Sequence, residues 1–431
     1  VVHRPYALSI VAFILTACHA GAQPAQDKVM SAVEVRRIET TLSSDDMRGR
    51  RDFSPDLDKA AKFIASEFQA IGLQPLPGNK DFDQVYSIIR PKTLAATLIA
   101  AGNKLDDKTF VIVSCQSSLR ANERSGYKIV YIKKGENLFG SASGFVHSGE
   151  NMLVIVDTSF AASFGKLAGF KRSLFKSPGT TIFLLGETAP ATFSVEADQE
   201  ISEQALKNVA GILPGSSRPS EYVIFSAHYD HLGVGRPVNG DSIYNGANDD
   251  AAGVTAVILL ARYFKSIGHN DRSIIFVAFS AEEIGGYGSQ YFSRQVDPAK
   301  TVAMLNIEMI GTESKWGRNS AYITGYEKSN LGEILQRNLA GSGFTFYPDP
   351  YTQENLFYRS DNATLARLGV PAHTISTSKM DNEPNYHQPG DEVGTLDIDN
   401  MAMIIKSIAI SASSVISGKD TPTRVNTADL Q

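Results

Sequence analysis

The stretch Ser273–Phe279, Ser-Ile-Ile-Phe-Val-Ala-Phe, constrains this chain more than any other. It is a short continuous apolar run rich in β-branched and aromatic residues. That pattern suits a strand covered on both faces. Ala281-Glu282-Glu283-Ile284-Gly285-Gly286 follows at once. Two adjacent carboxylates then stand where a buried strand gives way to a glycine-softened turn, the place where open α/β sheets put their chemistry. An unpaired buried carboxylate is costly. One economical arrangement has one glutamate binding a metal and the other handling a proton.

The surrounding text supplies the rest of such a sheet. Tyr222–Ala227, Thr301–Glu308 and Ala372–Ser376 read as further strands. Between and after them, Asp250–Ile267, Asn330–Ala340 and residues 397–417 read as helices. Strands alternating with helices predict an α/β fold, a mostly parallel mixed central sheet flanked by helices on both faces. Two helices precede it, over 29–42 and 55–71. The second opens at Pro55 and stops at Gly72. Residues 92–200 change character. Thr109–Ser114, Lys128–Ile132, Met152–Asp157 and Thr180–Leu185 are short β-like runs between Gly- and Ser-rich turns. They predict an inserted β-rich module, leaving 23–91 and 201–418 as the main domain. His147, a lone histidine in a polar loop, is expected at the surface. The polar residues 419–431 are expected to form a loose tail.

Composition narrows the function. Hydrophobic residues make up 42% and charged residues 20%, ordinary for a globular chain. The formal net charge of −5 and the lack of a basic block argue against nucleic acid as a partner. The two cysteines, Cys18 and Cys115, support neither a disulfide framework nor a thiolate zinc site. Residues 1–22 read as an export signal, with His3 and Arg4 before the apolar run Ala7–Leu15. Leu15-Thr16-Ala17-Cys18 resembles a bacterial lipobox, which would place a lipid on Cys18 and make that lipid the chain's link to a membrane. Ala20-Gly21-Ala22 offers the competing cleavage site of a soluble product. The lipobox reading is preferred, because cysteine is otherwise rare in such a segment. The expected location is periplasmic, or anchored as a lipoprotein at the outer membrane.

Four sites join Glu282 and Glu283. His228, directly after a strand, is a metal-ligand candidate with Asp230 as its orienting partner, and His231 reads as a bystander. In Asn245-Gly246-Ala247-Asn248-Asp249-Asp250, helix capping needs one acid or amide, not three. That leaves Asp249 free to bridge two metals while Asp250 opens the helix. Glu308 emerges from the end of an apolar strand, and His387 lies in the turn-rich loop Asn385–Asp391. Mixed nitrogen and oxygen ligands without thiolate suit a catalytic zinc pair.

His228-Tyr229-Asp230, Gly246-Ala247-Asn248-Asp249, Ala281-Glu282-Glu283-Ile284-Gly285, Asn306-Ile307-Glu308-Met309-Ile310-Gly311 and Tyr386-His387 resemble, in order and spacing, the motifs of the M28 family of co-catalytic zinc peptidases. Ser44-Asp45-Asp46-Met47-Arg48-Gly49-Arg50 also resembles the lead-in of its exported members. The resemblance covers roughly residues 205–415. It implies a zinc aminopeptidase-like fold and two zinc ions per chain. His228 and Glu308 would hold one ion, Glu283 and His387 the other, with Asp249 between them. Glu282 would be the general base and acid, and Asp230 would orient His228. The implied activity is hydrolysis of N-terminal residues from a peptide substrate. Two departures stand out: the family usually carries Asp where Glu308 stands, and often Ser-Asp-His where this chain has Ser360-Asp361-Asn362. The insert sits where exported members can carry a protease-associated domain. Competing expectations are a glutaminyl cyclase-like, carboxypeptidase or dipeptidase activity on the same fold, a binuclear phosphoesterase, and a non-catalytic binding module.

Overall fold

The computed structural model describes residues 29–430, so the export-signal reading of residues 1–22, Cys18 included, lies outside the described residues. Its main strands are β1 (Asp83–Ala100), β2 (Phe110–Val113), β3 (Lys128–Ile132), β4 (Met152–Val156), β5 (Thr181–Leu185), β6 (Phe193–Leu213), β7 (Arg218–His228), β8 (Arg272–Phe279), β9 (Thr301–Ile307), β10 (Ser320–Ile323), β11 (Thr345–Pro348) and β12 (Ala372–Ser376). Its main helices are α1 (Ala32–Leu42), α2 (Pro55–Ile71), α3 (Leu138–His147), α4 (Ala252–Ile267), α5 (Tyr287–Ser293), α6 (Leu331–Asn338), α7 (Asn362–Ala366) and α8 (Ile398–Ile416).

The central sheet runs β11-β10-β12-β9-β7-β8-β6-β1. Its middle, β12-β9-β7-β8, is parallel. The flanking β6 and β1 are antiparallel. The period of two in the strands sorts side chains to two cores. Val223, Phe225, Ala227, Ile274, Phe276 and Ala278 face a core shared with α1, α2, α4 and α8. Ile224, Ile275, Val277 and Phe279 face the opposite one. Burial on both faces is why β8 is apolar at every position from Ile274 to Phe279. The α8 helix is long and apolar enough to cross a bilayer by length and composition, but most of it is buried in the core.

Local signals set the helix ends. Ser54 accepts the Leu57 N–H ahead of Pro55, and Gly72 closes α2 at φ 80° with its N–H on the Phe68 and Gln69 carbonyls. The expected start of α4 at Asp250 moves to Ala252, because Asp249 and Asp250 take non-helical backbone angles. Gly253 has a steric reason to be glycine: a Cβ there would stand 2.2 Å from the Ile307 carbonyl oxygen, where α4 crosses the end of β9.

The four β-like runs of the insert are β2 to β5, and they form a separate sheet in the order β2-β5-β4-β3. The insert is more helical than its composition predicts. The β3–β4 and β4–β5 pairs are parallel. Parallel neighbours need crossover connections, which α3 and the helical segments over 158–171 provide. The module also has no sharp edge at 92 or 200, because β1 and β6 stay paired from Asp83↔Val209 to Ala100↔Phe193, with one register shift between Thr93 and Ala95. The tail is anchored rather than loose. Arg272 donates to the Asp420 carbonyl and the Thr421 hydroxyl, Thr423 and Asn330 bond reciprocally, and Val425 is buried.

Arg50 ties the N-terminal segment to the loops that follow β7. It is fully buried. It donates to the carbonyls of Leu42 and Tyr229 at 2.8 Å, Asn245 at 2.5 Å and Gly246 at 2.8 Å. Removing the guanidinium would take a donor from four buried carbonyls, of which Gly246 keeps a second partner in the Ala251 N–H. Arg50→Met should lower the unfolding free energy by about 3–5 kcal/mol, measured by urea denaturation. A change under about 1 kcal/mol would rule out this role, since that is the scale of an ordinary surface contact.

Candidate metal centre

The sequence-predicted residues converge at the carboxyl ends of the parallel strands. His228 ends β7, Glu282 and Glu283 follow β8, Glu308 follows β9, and His387 lies in the loop after β12. Asp249 lies between β7 and α4. The chain leaves β7 for β8 on one side and then returns to β9 on the other. This is the switch point at which open α/β sheets form a crevice.

Asp249 stands between two histidine–glutamate pairs. Its Oδ1 is 3.2 Å from His228 Nε2, which is also 3.2 Å from Glu308 Oε1. Its Oδ2 is 3.1 Å from His387 Nε2, which is 3.2 Å from Glu283 Oε2. Each imidazole nitrogen thus meets oxygens of two different carboxylates, more than one ring N–H can serve well. Ligand atoms around a four-coordinate ion with bonds of 2.0–2.1 Å stand about 3.3 Å apart. The observed separations match that edge, and imidazole with carboxylate is a donor set that zinc accepts. The residues present therefore fit two cations, one on each side of Asp249. Asp250 also lies within reach of His228 and Glu308. Its oxygens, however, already accept the N–H groups of His228 (3.4 Å), Gly253 (3.0 Å) and Met309 (3.0 Å). That makes it a tie between three loops.

Neighbouring acids hold the loops. Asp391 accepts the N–H groups of Asn248 at 2.8 Å and Asp249 at 3.0 Å, which aims the Asp249 side chain. Burial pushes the Asp391 carboxyl up to about 6. The longer arm of Glu308 is steered by the Ser360 hydroxyl, which donates to Oε2 at 2.6 Å and leaves Oε1 toward His228. Asn362 takes no part in the centre. Its amide donates to the Phe357 and Ala372 carbonyls and accepts from Thr374. Ala281, Met309 and His387 have φ of 61°, 50° and 56°. Left-handed backbone at non-glycine residues is strained, and here it flanks Glu282 and Glu308 and includes His387 itself.

Asp230 and His231 do more than the sequence suggests. The Asp230 carboxylate stands within ion-pair distance of the His228 ring, but it is not the ring's first hydrogen-bond partner. The ring Nδ1 meets the Asp230 main-chain carbonyl at 3.1 Å, and the carboxylate oxygen is 3.7 Å away. That carboxylate also accepts the N–H groups of Glu282 at 3.1 Å and Glu283 at 3.2 Å, which fixes the turn carrying both glutamates. His231 is no bystander: its Nδ1 is 2.8 Å from Glu283 Oε1, and its Nε2 is buried without a partner. It braces the Glu283 oxygen that does not face His387. Its place three residues after His228, still within the strand-end loop, was the one sequence signal for it. Asp391 gave none, because nothing in a chain reports which distant N–H groups a carboxylate will meet.

Glu282 lines a cavity of about 70 Å³ with Asp249, Glu308, Met309, Tyr386 and His387. Burial raises its carboxyl well above the ordinary range, and the Glu308 and Asp361 carboxylates add to this. Tyr386 stacks on His387 at 4.0 Å between ring centroids, and burial pushes its phenol to about 12.

The metal-free centre has a pH signature. Burial alone would lower the His387 imidazole, but Asp249 and Glu283 outweigh it and raise the pKa from 6.5 to about 10. A raised histidine stabilises the metal-free fold fully below about pH 6.5, and that contribution is lost as pH rises through about 10. A cation needs the neutral ring, so loading at pH 7 must expel a proton. Zinc affinity should rise with pH between 6 and 9, with proton release detected by calorimetry in buffers of different ionisation enthalpy. Release that is absent in wild type, or unchanged in His387→Ala, would contradict this.

Comparison with known proteins agrees with this geometry. Residues 208–411 match the model of Peptidase family M28. The aminopeptidase YwaD of Bacillus subtilis is 23% identical over 210 residues, which are 48% of this chain and 38% of that protein. A probable zinc metalloprotease of Pyrenophora tritici-repentis is 36% identical over 112 residues, 25% of this chain and 23% of that one. The matches thus span well under half the length of either relative. The solved aminopeptidase from Aneurinibacillus sp. strain AM-1 superposes with a TM-score of 0.54 at 18% identity, covering 91% of this chain and 96% of that one, and so shares its fold. The domain that carries the metal centre is a member of peptidase family M28.

Proposed function

We propose that this chain is a zinc-dependent metallopeptidase, an aminopeptidase that removes N-terminal residues from peptides. The observation that carries the reading is Asp249, whose two oxygens each face a separate histidine–glutamate pair while Glu282 stands free at the cavity wall. The names of the Bacillus and Pyrenophora relatives agree with it.

Two zinc ions held by His228, Glu308, Asp249, Glu283 and His387 would lower the pKa of water and polarise a carbonyl. Glu282, raised by burial, accepts the proton of the attacking water and returns it to the leaving amine. Asp230 holds Glu282 by its main-chain N–H at 3.1 Å, so the base stays at the wall. Tyr386 stays neutral across the working range and offers an O–H to a developing oxyanion. Asp249, Glu282 and Glu308 form an acidic wall that suits a substrate's α-ammonium. A small cavity with Met309, Leu356 and Met380 on its wall suits one side chain. Both features support removal of a terminal residue over cleavage within a chain. A glutaminyl cyclase-like enzyme would need a single zinc, and the two complete ligand sets favour hydrolysis.

Glu282→Gln should lower kcat on leucyl p-nitroanilide by about 10²–10⁴-fold, with two zinc ions still found by metal analysis. Full activity in that variant would sink the assignment. The export reading also stands as a proposal, supported by Leu15-Thr16-Ala17-Cys18 after an apolar run. Expressed in a bacterium, the chain should partition into the detergent phase of a membrane extract, and Cys18→Ser should move it to the aqueous phase. A wild-type chain found only in the aqueous phase would exclude the lipid.

A further inference from the structure

A cleft of about 890 Å³ runs from Glu282 out between the inserted module and the catalytic domain. One wall is α3 of the module, from Gly140 to His147. The other is the turn and helix after Glu282, together with residues 358–367. The centre's small cavity and this cleft share Glu282, Arg359 and Ser360 as lining residues. They are therefore two arms that meet at the proposed base.

The charge of the long arm is unusual for this chain. Arg294, Arg359 and Arg367 line it, and Glu282 is the one acid among its lining residues, although the whole chain carries a net charge of −5. Arg359 lies 3.3 Å from the exposed Glu354. The other two guanidiniums rest on aromatic rings, Arg294 at 4.3 Å over Phe175 and Arg367 at 5.7 Å over Tyr358. A ring positions a guanidinium without neutralising it, so its N–H fork stays available for a carboxylate. The facing wall is neutral and polar, with Ser141, Ser143 and His147, whose imidazole is held below its usual range by burial and by Arg294, and Gly144 of α3 has open space where a side chain would stand.

Building on the aminopeptidase reading, we infer that this cleft holds the leaving side of the peptide and selects substrates with carboxylates there. The terminal residue occupies the small cavity, its carbonyl lies beside Glu282, and the following residues run past Arg359 toward Arg294 and Arg367. The recognised chemistry is a carboxylate, from an acidic side chain or from the free C-terminus of a short peptide. The inserted module thereby becomes part of the substrate site, as the wall that makes the cleft.

The test uses the full zinc-loaded chain at low ionic strength. Leucyl p-nitroanilide reports the chemistry alone. Leu-Gly-Gly-Gly as acid and as amide tests the free terminus, and Leu-Gly-Asp-Gly-amide against Leu-Gly-Asn-Gly-amide tests the side chain. Two exposed ion contacts predict a preference of about fivefold in kcat/KM for the carboxylate member, mostly through KM and fading with added salt. The arm that shows it identifies the source. In Arg294→Gln/Arg367→Gln the preference should vanish while the anilide rate is unchanged. Equal rates for both members of both pairs, or a preference that survives the double substitution, would overturn the inference. Should wild type cleave none of these compounds, the peptidase reading fails by itself. Fluorescence anisotropy of labelled tetrapeptides then decides the cleft. Tighter binding of acid than amide that is lost in the double variant upholds it, and equal binding refutes it.

Discussion

Everything at this centre follows from one electrostatic problem. Asp230, Asp249, Asp250, Asp361 and Asp391 are all nearly inaccessible to water, and Glu282, Glu283 and Glu308 join them at the strand ends. Carboxylates cannot be gathered in a low-dielectric interior without compensation. The chain resolves this by dividing the labour. Some acids give their oxygens to main-chain N–H groups: Asp230 to the 282–283 turn, Asp250 to three loops, Asp391 to the Asn248–Asp249 segment. Others face the imidazoles of His228 and His387. The remaining deficit of positive charge is what two bound cations would supply.

The same logic explains the first helices of the described residues, which contribute no ligand candidate among those residues. Arg50 is the buried cation beneath the loops, donating to four carbonyls and lying near Asp249, Asp391 and Asp230. Below it, burial raises the Glu39 carboxyl to about 8, and Thr255 holds it by a 2.6 Å bond. The ligand loops therefore rest on a polar layer built before the sheet begins. That layer links the lead-in motif to a centre nearly two hundred residues away in sequence.

The insert illustrates how a module can join a site without donating a catalytic group. It hangs from the main sheet by two long paired strands, and its own small sheet is covered on both faces. Its helix α3 then faces the arginine-lined side of the cleft. Geometry of this kind shapes what can approach Glu282 while leaving the chemistry to the α/β domain.

The sequence by itself determined the elements and the candidate ligands. Apolar runs at β7, β8 and β9, glycine and proline stops, and ordered motifs around His228, Asp249, Glu282, Glu283, Glu308 and His387 are local signals, because strand burial and helix capping are local physics. The roles of Asp230, His231 and Asp391, the anchoring of the tail, the two-armed cleft and the reach of Glu308 toward Ser360 were decided only by the tertiary structure. Each depends on which main-chain N–H or carboxylate a distant side chain meets. Such meetings are set by sheet order and loop path, which residue spacing along a chain does not encode.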